Sequence, residues 1–217
     1  MAWVESAVVV YLRTMIDRIE PYQPNPLPMF RGLGEIELGR EAATLVMLLT
    51  VGWLAGRTWR SRIAYAGITF GVWDIFYYIF LVPMSGWPRS LFDWDILFLL
   101  PLPWWGPVIA PASIAALMII GGTLITQIDD VDMPFAPRRL AMAFATVGAL
   151  LALYVFMADA IAVASNGVES IRNVLPTVFN WRLFGIAFVL MTMPIVDIGW
   201  QMWRKKVLQI PEMQRTA

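Results

Sequence analysis

Neither cysteine nor histidine occurs among the 217 residues of this chain. Without cysteine there are no disulfides, thiolate zinc sites or cysteine-ligated iron–sulfur clusters. Without histidine there are no imidazole ligands for zinc, copper or haem, and no Ser-His or Cys-His catalytic arrangement. The 13 methionines leave thioether ligation of haem formally open, but filling irregular gaps between helices is their commoner use. No protein-ligated cofactor is expected, which leaves room for a bound lipid, quinone or pigment.

Charge is also scarce. Only 15% of residues are charged and the formal net charge is zero, so no nucleic-acid partner is expected. The start, Met1 to Val10, lacks a basic stretch followed by a small-residue cleavage site, and no removable signal peptide is expected.

What the chain has in quantity is apolar side chain, 59% of residues. Several runs approach or exceed the roughly 20 residues that cross a hydrocarbon core. The expected fold is an all-α polytopic integral membrane protein with a five-helix transmembrane bundle. Its spans are placed at about 41–56, 63–83, 107–126, 140–163 and 181–203. Residues 1–36 form an amphipathic helix plus a proline-rich strap, and residues 37–217 form the spanning domain. In the first part, Val4, Ala7, Val8, Tyr11, Leu12, Met15, Ile16 and Ile19 recur at helical spacing, with Glu5, Ser6, Arg13, Thr14, Asp17 and Arg18 opposite. That pattern predicts an interfacial helix lying on the membrane surface or against a partner. The prolines at 21, 24, 26 and 28 predict an extended strap.

The basic residues Arg57, Arg60, Arg62, Arg138, Arg139, Arg204, Lys205 and Lys206 fall on alternate loops and the tail. They predict a cell (inner) membrane location with the N-terminus outside and the C-terminus cytoplasmic.

Between spans two and three lies a stretch dense in proline and tryptophan, in which the triplet Trp73-Asp74-Ile75 recurs as Trp94-Asp95-Ile96. The second copy opens an apolar segment too short to span, closed by Pro101 and Pro103. We read it as a proline-broken interfacial or re-entrant segment, with Ser90 or Asp93 capping a short helix that breaks near Leu100. Short interrupted segments beside intramembrane acids are where membrane proteins keep their sites.

The candidate ion, proton or polar-network residues are Glu41, Asp74, Tyr78, Asp95 and Asp159. Gly67, Gly71, Asp74 and Tyr78 share one helical face. Ala141, Ala145, Ala152 and Asp159 share another, as small residues do where helices pack closely in lipid. Arg89 or Arg182 is the expected counter-charge. The competing structural readings are a hydrogen-bonded staple for Asp74 and a helix cap for Asp95. Asp197, near Gln201, Arg204 and Lys205, reads as an interfacial acid paired with nearby bases. The acidic run 129–132 lacks the glycine and glutamate of a calcium loop. Most of the 11 tryptophans fall at span ends, as interface anchors do.

Three functions fit. The first is a non-catalytic integral subunit, or an assembly or stabilising factor, of a larger respiratory or photosynthetic type of membrane complex, with the bilayer and other integral subunits as partners. The second is a small proton or cation channel or transporter using Asp74 and Asp159. The third is an intramembrane enzyme acting on a lipid or isoprenoid through a divalent ion on Asp93 and Asp95.

Overall fold

A computed structural model describes residues 1–22, 33–99, 101–130 and 136–213. The prolines expected at 24, 26 and 28, the break at Leu100 and the end of the acidic run at 132 lie outside the described residues. The protein is 75% helical, and among the described residues five helices are long and apolar enough to cross a membrane. They are α2 (Leu33–Ala55), α3 (Trp59–Ser85), α4 (Ile109–Asp130), α5 (Arg139–Val163) and α7 (Trp181–Met213). A short α1 (Ala2–Met15) precedes them, and α6 (Val168–Arg172) sits in the loop before α7. Three boundaries differ from the sequence reading. Helix α2 starts at Leu33, so Glu41 lies about 12 Å inside the helix by rise per residue rather than at its mouth. Helix α4 starts at Ile109, beyond the Gly106-Pro107 expected to open it, and α7 runs on to Met213.

The segment between α3 and α4 is not a helix. It is an antiparallel hairpin of β1 (Trp94–Phe98) and β2 (Trp104–Pro107), paired Trp94 to Pro107, Asp95 to Gly106 and Ile96 to Trp105, with a bulge before Phe98. Aromatic and β-branched residues favour an extended, packed ribbon, and Pro101, Pro103 and Pro107 push the residues before them out of helical geometry. Asp93, expected as a helix cap, instead closes a turn: its Oδ2 accepts from the backbone N–H of Arg89 (2.8 Å) and Ser90 (3.2 Å). The hairpin points into the bundle. Phe98 stacks on Phe70, near the middle of α3, at 6.2 Å, and Trp104 stacks on Phe156 of α5 at 6.3 Å. Backbone at such depth is tolerated only where protein surrounds it.

Helix α1 reverses the expected orientation. Its polar residues Ser6 and Arg13 are buried, while Trp3, Val4, Tyr11 and Met15 are exposed. The Ser6 hydroxyl donates to the Tyr77 carbonyl of α3 at 2.9 Å, and the Arg13 guanidinium lies over the Trp87 ring at 4.3 Å. Seven residues of α1 thus advance beside ten of the α3 segment, so α1 stands along α3 instead of lying across its end. The polar face turns inward because the interior on that side is polar.

The helices form two groups. Helix α3 packs against α1, α2 and α4, and α5 packs against α7; α4 touches α7 lightly, while β2 reaches both α4 and α5. Close approach rests on small residues. A Cβ added at Gly71 would fall 2.5 Å from the Ala115 carbonyl oxygen, and one at Gly122 would fall 2.7 Å from that of Ala64. Gly67, expected to share the contact with Gly71, has nothing nearer than 3.9 Å. Gly71→Ala is therefore expected to force α3 and α4 apart and cost about 1–3 kcal/mol, the usual range for overpacking, whereas Gly67→Ala leaves stability unchanged or raises it. Thermal melts of the two variants in one detergent check the contrast.

Candidate functional site

The two Trp-Asp-Ile copies meet. Asp74, in the middle of α3, and Asp95, on β1, are 8% and 0% exposed and within electrostatic reach of one another. Helix α3 supplies Asp74 and Tyr78 four residues apart, hence one turn apart on one face. The hairpin brings Asp95 down to that face, with the Tyr78 hydroxyl beside its carboxylate.

The counter-charge is Arg13, which sequence reasoning missed. Its Nη2 donates to Asp95 Oδ1 at 2.7 Å, and both side chains are almost fully buried. The same oxygen accepts from the Ile96 N–H at 2.9 Å. Burial alone would lower the Arg13 pKa, but Asp95 and the Tyr77 and Tyr78 hydroxyls outweigh it, and the guanidinium is held above its ordinary value. Of the expected counter-charges, Arg89 pairs with Glu20 at the surface, and Arg182 is exposed at the start of α7.

A second cluster adjoins the first. Arg40 of α2 bridges Glu37, one turn before it, and Glu5 of α1, and the Thr44 hydroxyl donates to Glu5 Oε2 at 3.3 Å. Glu41, 6% exposed, accepts the Leu99 N–H at 3.1 and 3.0 Å on its two oxygens. A carboxylate thereby satisfies strand backbone that has no water to turn to. The clusters are continuous at Tyr77, whose hydroxyl feels Arg13, Arg40, Asp74 and Asp95 together.

Asp159 is not a member. Its Oδ1 accepts the Thr177 hydroxyl at 2.7 Å and its Oδ2 the Thr177 N–H at 3.3 Å, fixing the loop between α5 and α7. The candidate enzyme pair also separates, since Asp93 serves the surface turn while Asp95 faces Arg13. Among the described residues no group of three or more Asp and Glu side chains could hold a metal ion. Asp197 finds its base across the structure rather than in its own tail. Its Oδ2 accepts the Arg138 N–H at 2.8 Å, and its Oδ1 stands 3.5 Å from Arg138 Nε. Gln201 donates to the Ala136 carbonyl and to Asp197.

Among the described residues the chamber holds the carboxyl groups of Glu5, Glu37, Glu41, Asp74 and Asp95 and the guanidiniums of Arg13 and Arg40. Asp74 Oδ2 and Asp95 Oδ2 are buried with no hydrogen-bond partner among the described residues, as are the indole N–H groups of Trp73, Trp104 and Trp105. No protein-family model, curated protein or solved structure matches the chain.

Removing one partner of a buried ion pair strands the other charge, which typically costs about 3–5 kcal/mol, while removing both together costs far less. Arg13→Met alone should therefore lower the melting temperature sharply, and Arg13→Met with Asp95→Leu should restore much of it. A double-mutant cycle followed by thermal unfolding measures the coupling.

Proposed function

We propose that the protein is a proton-exchanging integral membrane protein, with the acid–base chamber beneath the hairpin as its functional centre. The observation that carries this reading is the burial of Asp74 and Asp95 side by side, each with an Oδ2 that has no hydrogen-bond partner among the described residues. Two carboxylates within electrostatic reach of one another in a low-dielectric interior favour a proton or a cation at one of them. A proton is the counter-ion that needs no cage of ligands.

In this reading Arg13 fixes the charge on Asp95, Tyr78 stands between the two carboxyls, and Asp74 is the group that gains and releases the proton. The proline-broken ribbon carries Asp95 to that depth, as interrupted segments do in transporters. The chain sits with five helices across the membrane and α1 in the half that holds the chamber. Asp159 has no part in it, so the pathway differs from one joining Asp74 to Asp159.

The experiment is proton flux into liposomes carrying the purified protein and a trapped pH dye. Wild type is expected to carry flux above empty liposomes, and Asp74→Asn, close to isosteric, should bring it down to the empty-liposome level with an unchanged melting temperature. Flux that persists in Asp74→Asn, or is absent from wild type, overturns the reading.

A second reading, an integral subunit or stabilising factor of a larger membrane complex, is favoured by α1. Its 14 residues are too few to span, yet Trp3, Val4, Tyr11 and Met15 form an exposed apolar stripe suited to a neighbouring helix. Gentle extraction from the native membrane decides it: a fixed ratio to other subunits is the expected outcome, and a lone or self-associated chain refutes it.

A further inference from the structure

At the end of the bundle away from the chamber, α5 and α7 leave a groove of about 440 Å³ between them. That is within the range of about 300–1,000 Å³ that small-molecule sites occupy. Its walls are apolar, formed by Leu140 and Phe144 on α5 and by Met193, Val196 and Trp200 on α7. Arg138 lines its mouth.

Among the described residues, guanidiniums outnumber carboxylates at the mouth. The Arg138 side chain stays 65% exposed although its Nε faces Asp197, so guanidinium N–H groups remain turned outward. Arg204 lies over the ring of Trp200, a lining residue, with Cζ 5.1 Å from its centroid. Arg139 adds a third exposed guanidinium beside Arg138. Asp197 is the one carboxylate in the lining, and it is already engaged by Arg138 and Gln201.

An apolar trough that opens along lipid-facing helices and ends in arginines at the level of an interfacial tryptophan matches a molecule with an acyl chain and an anionic head. Arginine forks pair with phosphate oxygens. We propose that this groove is a binding site for one anionic phospholipid. Its phosphate lies between Arg138 and Arg204, and an acyl chain lies along Phe144, Met193 and Val196. The inference is independent of the proton reading, because the groove shares no residue with the chamber.

The test places the intact protein in nanodiscs containing equal phosphatidylglycerol and phosphatidylcholine. It then extracts the protein gently and measures by native mass spectrometry which lipid stays bound. Phosphatidylglycerol is expected to be retained preferentially. Arg204→Gln should lower its retention about fivefold, the worth of one basic side chain facing an anionic surface. Arg57→Gln, which removes an exposed arginine from the loop between α2 and α3, should leave it unchanged. Arg138→Gln is measured alongside, with a thermal melt to separate lipid loss from loss of the Asp197 clamp. Equal retention of the two lipids overturns the site. So does an equal effect of Arg57→Gln and Arg204→Gln, which would mark a general attraction of the basic surface. Displacement of the lipid by inorganic phosphate alone would overturn the role given to the acyl groove.

Discussion

The ion pair between Arg13 and Asp95 holds together parts of the chain that are otherwise only neighbours. Arg13 belongs to a helix too short to span, and Asp95 to a two-stranded ribbon too short to be stable alone. Each element also buries apolar side chains, Val9 and Val10 of α1 against Tyr78 and Trp87, and Trp104 of the ribbon against Phe156. The ion pair ties the two elements to each other, with Arg13 also covering the Trp87 ring and Asp95 also accepting from Ile96. Each partner makes the other's position affordable in a low-dielectric interior. Without Asp95, α1 would carry a cation into an apolar wall; without Arg13, the hairpin would carry an anion there.

That dependence explains the reversed helix. A membrane protein is greasy outside because lipid surrounds it, and nothing then requires its interior to be greasy too. Around the chamber the interior is built from Glu5, Ser6, Arg13, Arg40, Glu41, Asp74 and Asp95, and α1 closes it from the side. Its Ser6 and Arg13 face in, and its Val4, Tyr11 and Met15 face out. On the other side of the hairpin the packing follows the opposite rule. There Trp104, Phe156, Phe179 and Phe184 stack into an apolar core between α5 and α7. The ribbon is the partition between a polar half and an aromatic half, and its two edges are chemically different for that reason.

Much of this architecture was legible in the residues, and the parts that were not share a cause. The five long apolar runs are a one-dimensional signal, set by bilayer thickness, and they read off directly. So did the position of Asp74 midway along α3 and one turn from Tyr78, since helical periodicity fixes angle and height. Periodicity does not say which face meets which neighbour. Asp159 shares the small-residue face of α5 and still turns to Thr177, because the loop before α7 folds back over it. The polar side of α1 looked like a water-facing side because the pattern records only that two faces differ. The ribbon was mistaken for a broken helix because five residues are too few to show period two, and proline forbids a helix without naming what replaces it. Arg13, 82 positions from Asp95, leaves no local trace of its partner.

The recurrence of Trp-Asp-Ile gains a physical sense from the fold. The two copies lie in different secondary structures, so a shared motif here does not mean a shared local conformation. What they share is the environment of the acid. Each aspartate is buried, and each is carried within electrostatic reach of Tyr78. Asp74 arrives on a long helix and has no ion-pair partner among the described residues; Asp95 arrives on a ribbon and pairs with Arg13. Two acids of one kind in one cluster are thereby made unequal by their supports, one paired with a guanidinium and one not. A chamber needed only to hold α1 in place would be complete with Arg13 and Asp95. Asp74, whose Oδ2 has no hydrogen-bond partner among the described residues, is the residue that staple does not require.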